Sequence, residues 1–341
     1  MKSTQIRLAS RPKGEPVAGD FEKVEIDLPE VGEGQVALRT IYLSLDPYMR
    51  GRMSDARSYA QPVEIGGVIT GGTVCQVVQS RADKFKEGDF VLSMSGWQSA
   101  DVVDAKGLRK LDPADAPIST AVGVLGMPGL TAYVGLLDIG QPKAGETVVV
   151  SAASGAVGSV VGQLARIKGA RVVGVAGSPE KVAFVKDELG FDACVSHRSD
   201  SLKEDLKAAC PKGVDVYFEN VGGATLDAAL SLMNPFGRIP VCGMISLYNA
   251  TSLDGGPSRA SLMRQILTDR LHIQGFIVTE RWDRFGAFVK EVGGYIRSGE
   301  LKYREDIVEG LENAPETFVG LLKGRNFGKQ LIRVSADPTR D

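Results

Sequence analysis

The sequence predicts an α/β chain in which a doubly wound parallel sheet follows a β-rich N-terminal region. Two features predict the sheet. Strand-like and helix-like patterns alternate from about residue 123 onward, and a glycine-rich turn joins the first strand of that series to the first helix. A third feature predicts the β-rich start: short apolar runs broken by Gly, Pro and Asp over residues 1–120. At 341 residues the chain exceeds the usual size of one domain, so two are expected.

In the first region, strands are expected at Val36–Leu43, Gly66–Val78 and Phe90–Leu92. In the second, strands are expected at Thr147–Ser151, Arg171–Val175, Ala193–Ser196, Val214–Phe218, Arg238–Cys242 and Leu271–Ile277, with helices between them at about 157–168, 179–189, 200–209, 223–233 and 258–269. The runs Val148–Val150 and Val172–Val173 suit strands covered on both faces. A helix pattern then runs from 282 to about Arg297, followed by a helix near 315–323 and a strand near 329–334.

Hydrophobic residues make up 43% of the chain and charged residues 24%, enough for a packed core. A net charge of −2 argues against a general nucleic-acid binder or a polybasic membrane binder, both of which need concentrated positive charge. The four cysteines are scattered and form no C-x-x-C pair, so free thiols in a reducing cytoplasm are expected. The chain opens on polar and charged residues, and no run reaches the ~18 apolar residues of a membrane span. A soluble, cytoplasmic protein is the expectation.

The sharpest local signal is Thr147-Val-Val-Val-Ser-Ala-Ala-Ser-Gly-Ala-Val-Gly158. It is a G-x-G-x-x-G pattern with Ala153 at the first glycine position. Gly155 lets the backbone approach a pyrophosphate, and Gly158 lets the helix pack close to its strand. The helix N-terminus offers free N–H groups to phosphate. A bare match of this kind also fits an ordinary tight turn. Its position between a strand and a helix, in a six-strand alternation, makes it a dinucleotide-binding (Rossmann) site. A site for NAD usually has an acid at the tip of the second strand to hold the ribose 2′-hydroxyl. Here that tip runs Ala176-Gly-Ser-Pro-Glu-Lys181, with small residues and then a cation. NADP(H) is expected, with Gly177, Ser178 and Lys181 at its adenosine end. A solvated first-turn lysine is the plainer account of Lys181.

A catalytic zinc usually takes three protein ligands. His197 and His272 are the only histidines, His272 lies in an apolar run, and no four-cysteine lobe is present. No metal is expected. Catalysis then relies on the cofactor, hydrogen bonds and at most a tyrosine acid.

Several segments together carry a more specific signal: Leu43-Ser-Leu-Asp-Pro-Tyr-Met-Arg50, Gly126-Met-Pro-Gly-Leu-Thr-Ala-Tyr133, Ala152-Ala-Ser-Gly-Ala-Val-Gly158, Tyr217-Phe-Glu-Asn-Val-Gly-Gly223, Cys242-Gly-Met-Ile-Ser-Leu-Tyr-Asn249, Leu311-Glu-Asn-Ala-Pro and Lys323-Gly-Arg-Asn-Phe-Gly-Lys329. Over essentially its whole length the chain resembles the zinc-independent medium-chain dehydrogenases/reductases, in the group of prostaglandin, alkenal and curcumin reductases. The resemblance implies a GroES-like substrate domain (1–122 and 300–341) interrupted by a Rossmann NADP-binding domain (123–299). It implies that Tyr248 sits near the nicotinamide and the substrate carbonyl, and that Tyr48 and Tyr59 line the substrate pocket. It further implies cofactor contacts from Met127 and Thr131, from Ala156 and Val157 in the glycine turn, and from Asn220 after the fourth strand. Cys242, Gly243 and Tyr248 are expected contacts at and beyond the end of the fifth strand, Phe276 and Ile277 at the end of the sixth, and Asn326 near the C-terminus. One departure is visible. Relatives often carry Asn-Tyr-Lys after the third strand, where this chain has Ser196-His-Arg198. Arg198 remains a bidentate phosphate donor.

The implied activity is NADPH-dependent reduction of the carbon–carbon double bond of an α,β-unsaturated ketone or aldehyde. Hydride goes to the β-carbon, Tyr248 steadies the enolate oxygen, and water or Tyr248 protonates the α-carbon. Two rivals stand beside it: quinone reduction on the same fold, and a non-catalytic NADPH-binding protein. The expected partners are a small enone or enal and a second copy of the chain. Pairing of the copies through the strand at Leu271–Ile277 would cover that sheet edge.

Overall fold

Val148, Val149 and Val150 have no exposed surface, as befits a strand flanked by strands and covered by helices. The computed structural model describes residues 1–252 and 259–340, apart from the side chain of Arg259. Its strands are β1 (Lys2–Leu8), β2 (Phe21–Asp27), β3 (Gln35–Ser44), β4 (Thr73–Ser80), β5 (Phe90–Ser93), β6 (Ala100–Asp104), β7 (Arg109–Leu111), β8 (Thr147–Ser151), β9 (Arg171–Ala176), β10 (Ala193–Ser196), β11 (Val214–Phe218), β12 (Met233–Val241), β13 (His272–Gly275), β14 (Glu305–Glu309) and β15 (Lys329–Arg333). Its helices are α1 (Tyr48–Arg52), α2 (Met127–Val134), α3 (Gly158–Ile167), α4 (Pro179–Ala183), α5 (Leu202–Ala209), α6 (Gly223–Leu230), α7 (Arg259–Asp269), α8 (Phe285–Arg297) and α9 (Ala314–Leu322). They form two compact units, Met1–Gly126 with Glu305–Asp341 and Met127–Arg304. The sequence had suggested changes of domain at 122/123 and 299/300.

The second unit is the doubly wound sheet. Its order is β10-β9-β8-β11-β12-β13, and every pairing is parallel. Strand order reverses between β8 and β11, the place where open sheets of this kind bind ligands at their C-terminal tips. Close packing of α3 depends on Gly162, because a Cβ there would stand 1.8 Å from the Phe191 ring. Strand β13 is the sheet edge, and all four of its residues are exposed.

The first unit holds a seven-stranded, mostly antiparallel sheet and the separate β1–β2 ribbon. Trp97 anchors one core, stacked on Phe21 at 5.9 Å and edge-on to Phe318 at 5.6 Å. The buried ammonium of Lys329 lies 2.6 Å from Asp46 and donates to the Leu45 carbonyl. This pair ties β15 to the loop that leads into α1, and two charges so buried persist only because they are paired.

Several expectations shift. The strand expected at Gly66–Val78 starts at Thr73. Gly66 has φ +81, and a Cβ on Gly71 would press on Leu43 and Met49 at 3.0 Å, so this glycine-rich stretch turns rather than extends. The strand expected at Arg238–Cys242 begins earlier, at Met233, and the one expected at Leu271–Ile277 shortens to His272–Gly275. The strands β1, β2, β6, β7 and β14 and the helix α2 were not expected. Residue 258, where the fifth helix was to begin, lies outside the described residues, as does the centre of the Gly-, Ser- and Pro-rich loop 249–261.

Candidate active site

Ser151 ends β8 fully buried, and the chain turns at Ala152 with φ +51. A non-glycine residue in this region is strained and is held only by its surroundings. Here the Gly155 N–H donates to the Ala152 carbonyl at 2.9 Å, and the Ala153 N–H donates to Val175 of β9 at 3.0 Å. Ala153 is fully buried, and a Cβ added to Gly174 would meet its methyl at 2.9 Å, so small residues are needed both in the turn and on β9. At Gly158 a Cβ would stand 2.4 Å from the Ala152 carbonyl oxygen. The helix α3 therefore starts as close to its strand as backbone atoms allow. Ala156 and Val157 sit half-buried on the open side of this turn.

Beyond the tip of β9, two cations, Lys181 and Arg198, gather with the imidazole of His197 near Gly177. A Cβ on Gly177 would lie 3.0 Å from His197 Nε2 and 3.7 Å from Arg198 Nε. Burial lowers the His197 pKa, and the positive charges of Arg198 and Lys181 lower it further. Ser178 caps α4, accepting from the Lys181 N–H at 3.4 Å. Ser196 Oγ donates to the Gly177 carbonyl at 3.1 Å, joining β10 to this corner. The chemistry of these donors suits a phosphate group, and the glycine-built turn beside them suits a pyrophosphate.

On the other side of the switch point, Asn220 donates to the Ser151 carbonyl at 2.8 Å. Tyr248 follows a short 3₁₀ turn, Ile245–Leu247. Its hydroxyl lies 2.8 Å from where a Cβ on Gly243 would be, so glycine there leaves room for the phenol. Burial pushes the neighbouring Cys242 thiol up to about 12, with a further push from the Glu219 carboxylate. Met127 opens α2 and accepts at its carbonyl from Thr131 Oγ1 at 2.8 Å. Phe276 packs edge-on to Phe218 at 6.5 Å, and Ile277 beside it is half-buried.

In the first unit, Tyr48 opens α1. Burial raises its phenol pKa well above the ordinary value, and the Asp46 charge adds to the shift. Tyr59 is 62% exposed. The Asn326 amide donates to the Gly328 carbonyl at 2.8 Å.

Sequence reasoning placed His197 near the adenosine end, but passed over the positive φ of Ala152 and the buried carboxylate of Glu219, whose partner Ser151 is distant in the chain. A polar recess of about 510 Å³ opens at the opposite, N-terminal ends of the strands, lined by Asp138, Glu146, Asp215, Arg238 and His272 among others. Arg238 and Glu146 neutralise one another there, and none of the candidate cofactor or substrate residues lines the recess. Among the described residues no group of three or more His, Cys, Asp or Glu is placed to hold a metal.

Two family models match the chain: an N-terminal domain of oxidoreductase over residues 4–111, and a zinc-binding dehydrogenase over residues 156–292. The chain is 55% identical over 332 residues to the NADPH-dependent curcumin reductase of Escherichia coli (strain K12), covering 97% of this chain and 96% of that one. It is 42% identical to the NADP(+)-dependent 2-alkenal reductase of Nicotiana tabacum, covering 99% of each. Among solved structures, CurA from Vibrio vulnificus in complex with NADPH superposes with a TM-score of 0.95 at 51% identity, covering 98% of this chain and 100% of that one.

Proposed function

This chain belongs to the zinc-independent medium-chain dehydrogenases/reductases, and from that membership we propose that it reduces the carbon–carbon double bond of α,β-unsaturated ketones or aldehydes with NADPH. The single observation that carries the reading is the joint geometry of the second unit. A glycine-built phosphate turn, a cationic corner at Gly177 and a tyrosine seated on Gly243 all occupy the C-terminal tips of one parallel sheet.

Ala153, Gly155, Ala156, Val157 and Gly158 would cradle the pyrophosphate. Gly177, Ser178, Lys181 and Arg198 would hold the 2′-phosphate end. Met127, Thr131, Asn220, Cys242, Gly243, Phe276 and Ile277 would line the nicotinamide half, with Asn326 as a further contact. Bound in this way, the cofactor supplies hydride to an electron-poor carbon. Tyr248 donates a hydrogen bond to the substrate carbonyl oxygen as negative charge develops on it. Its phenol is positioned before the substrate arrives, because Gly243 leaves room for it. Tyr48 and Tyr59 are assigned to substrate contact in the first unit.

The cofactor assignment is tested by titrating NADPH and NADH. NADPH is expected to bind more tightly. Lys181→Ala combined with Arg198→Ala should weaken NADPH about tenfold or more and leave NADH nearly unchanged, since each charge-assisted phosphate contact is worth roughly 1.5–3 kcal/mol in a shielded site and less where exposed. Equal losses for both nucleotides would remove the assignment.

We also propose a homodimer formed through β13. The strand is an edge, Ile273 is exposed on it, and Phe236 on the neighbouring β12 is 65% exposed, an arrangement that pairing across a two-fold axis would cover. Light scattering should give twice the 36.3 kDa mass of the chain; a monomer at micromolar concentration would contradict it. We place the protein in the cytoplasm, where its four cysteines, none of them in a disulfide, stay reduced.

A further inference from the structure

Glu219 follows β11 directly and is 1% exposed. Four donors converge on one of its carboxylate oxygens. Val221 N–H lies at 2.6 Å from Oε1, Gly222 N–H at 3.0 Å, and the hydroxyls of Ser151 and Tyr217 both at 3.1 Å. Among the described residues the second oxygen, Oε2, has no hydrogen-bond partner although it is buried. Such a group is a poor choice for stability alone. Burying a charge is costly, an unserved lone pair adds to the cost, and a neutral side chain of the same shape folds with less penalty.

Its connections show what it orders. Ser151 Oγ accepts from the Asn220 N–H at 2.8 Å, so the carboxylate is one link from the residue that closes the tip of β8. The Glu219 carbonyl accepts from the N–H groups of Cys242 at 2.9 Å and Gly243 at 3.1 Å. Gly243 is the residue on which the Tyr248 hydroxyl rests. Gly222 and Gly223, with φ +78 and +56, turn the intervening loop so that consecutive N–H groups face the carboxylate. The phosphate turn after β8, the Asn220 loop after β11 and the Tyr248 turn after β12 therefore converge on one buried residue.

We infer that Glu219 is a positioning residue, whose negative charge draws the tips of β8 and β11 into the arrangement that NADPH binding requires. This rests on the NADPH-dependent reading above. The charge is used for geometry and is paid for in stability, so the two properties should separate on mutation.

The test compares wild type, Glu219→Gln and Ser151→Ala. NADPH affinity is read from quenching of protein fluorescence, and stability from thermal unfolding without nucleotide. Glu219→Gln keeps the shape and removes the charge. It is expected to unfold at or above the wild-type temperature while its Kd for NADPH rises about tenfold. Ser151→Ala keeps the carboxylate but cuts its link to β8, and should weaken NADPH in the same direction, by about threefold. If Glu219→Gln does not fold, Ser151→Ala carries the test by itself. Wild-type Kd values in the folded variants would overturn the inference. So would a lowered unfolding temperature with unchanged Kd, which would make Glu219 a structural prop. Failure of the wild-type protein to bind NADPH would instead overturn the reductase reading, so the two failures are distinguishable.

Discussion

Replacing Tyr248 by phenylalanine is expected to lower kcat for enone reduction about 100-fold, with NADPH affinity within about twofold of wild type. The expectation follows from where the hydroxyl sits. It lies over Gly243, close enough that a Cβ there would be 2.8 Å from it, and the Asn220 carbonyl is near the same point. Removing one oxygen leaves the ring and its packing in place. On the proposed role, what is lost is the donor to the substrate oxygen when charge accumulates there. Losing a transition-state donor of this kind lowers kcat and kcat/KM together. Steady-state kinetics with a simple enone, alongside a nucleotide titration, checks both halves. A variant with wild-type kcat would remove Tyr248 from the chemistry. A variant that fails to bind NADPH would make it a cofactor ligand first.

The second large effect is expected at Gly158. Alanine there would place its Cβ 2.4 Å from the Ala152 carbonyl oxygen and 2.9 Å from the carbonyl carbon, both backbone atoms that no rotamer can move aside. Relief requires α3 to withdraw from β8, or the already strained Ala152 to change conformation. Overpacking of this kind costs about 1–3 kcal/mol. Because the displaced backbone is the proposed pyrophosphate cradle, NADPH affinity should fall at least about tenfold. Gly294 in α8 is the control. A Cβ there meets nothing within 4 Å, and alanine should stabilise that helix by roughly 0.5–1 kcal/mol without touching NADPH affinity. Equal behaviour of the two variants would mean that the turn has no special role.

The parallel sheet was legible because its signals are local. The valine run of β8, the turn from Ala152 to Gly158 and the periodic apolar face of α3 lie within a stretch of about twenty residues, and the βαβ rule does the rest. The first unit was less legible. Strands such as β2 (Phe-Glu-Lys-Val-Glu-Ile-Asp) and β14 (Glu-Asp-Ile-Val-Glu) are mostly charged and exist through their pairing with β1 and β15. A Pro-Gly pair at 128–129 disguised α2, although proline is tolerated in the first turn of a helix. At the site, position along the chain pointed to Lys181 and Arg198 and put His197 near the adenosine end, and only the fold shows how closely its ring approaches Gly177. Glu219 was invisible for a different reason. A glutamate after a strand reads as solvated, and only the fold brings Ser151, Tyr217, Val221 and Gly222 around it.

The reaction itself is tested most directly by incubating the purified protein with NADPH and a panel of enones, enals and quinones, and weighing the products by mass spectrometry. The expected product is the saturated ketone or aldehyde, heavier than its precursor by two hydrogens and intact at the carbonyl. Enones recovered unchanged while quinones are converted to hydroquinones, or NADPH left unoxidised by every acceptor, would contradict it.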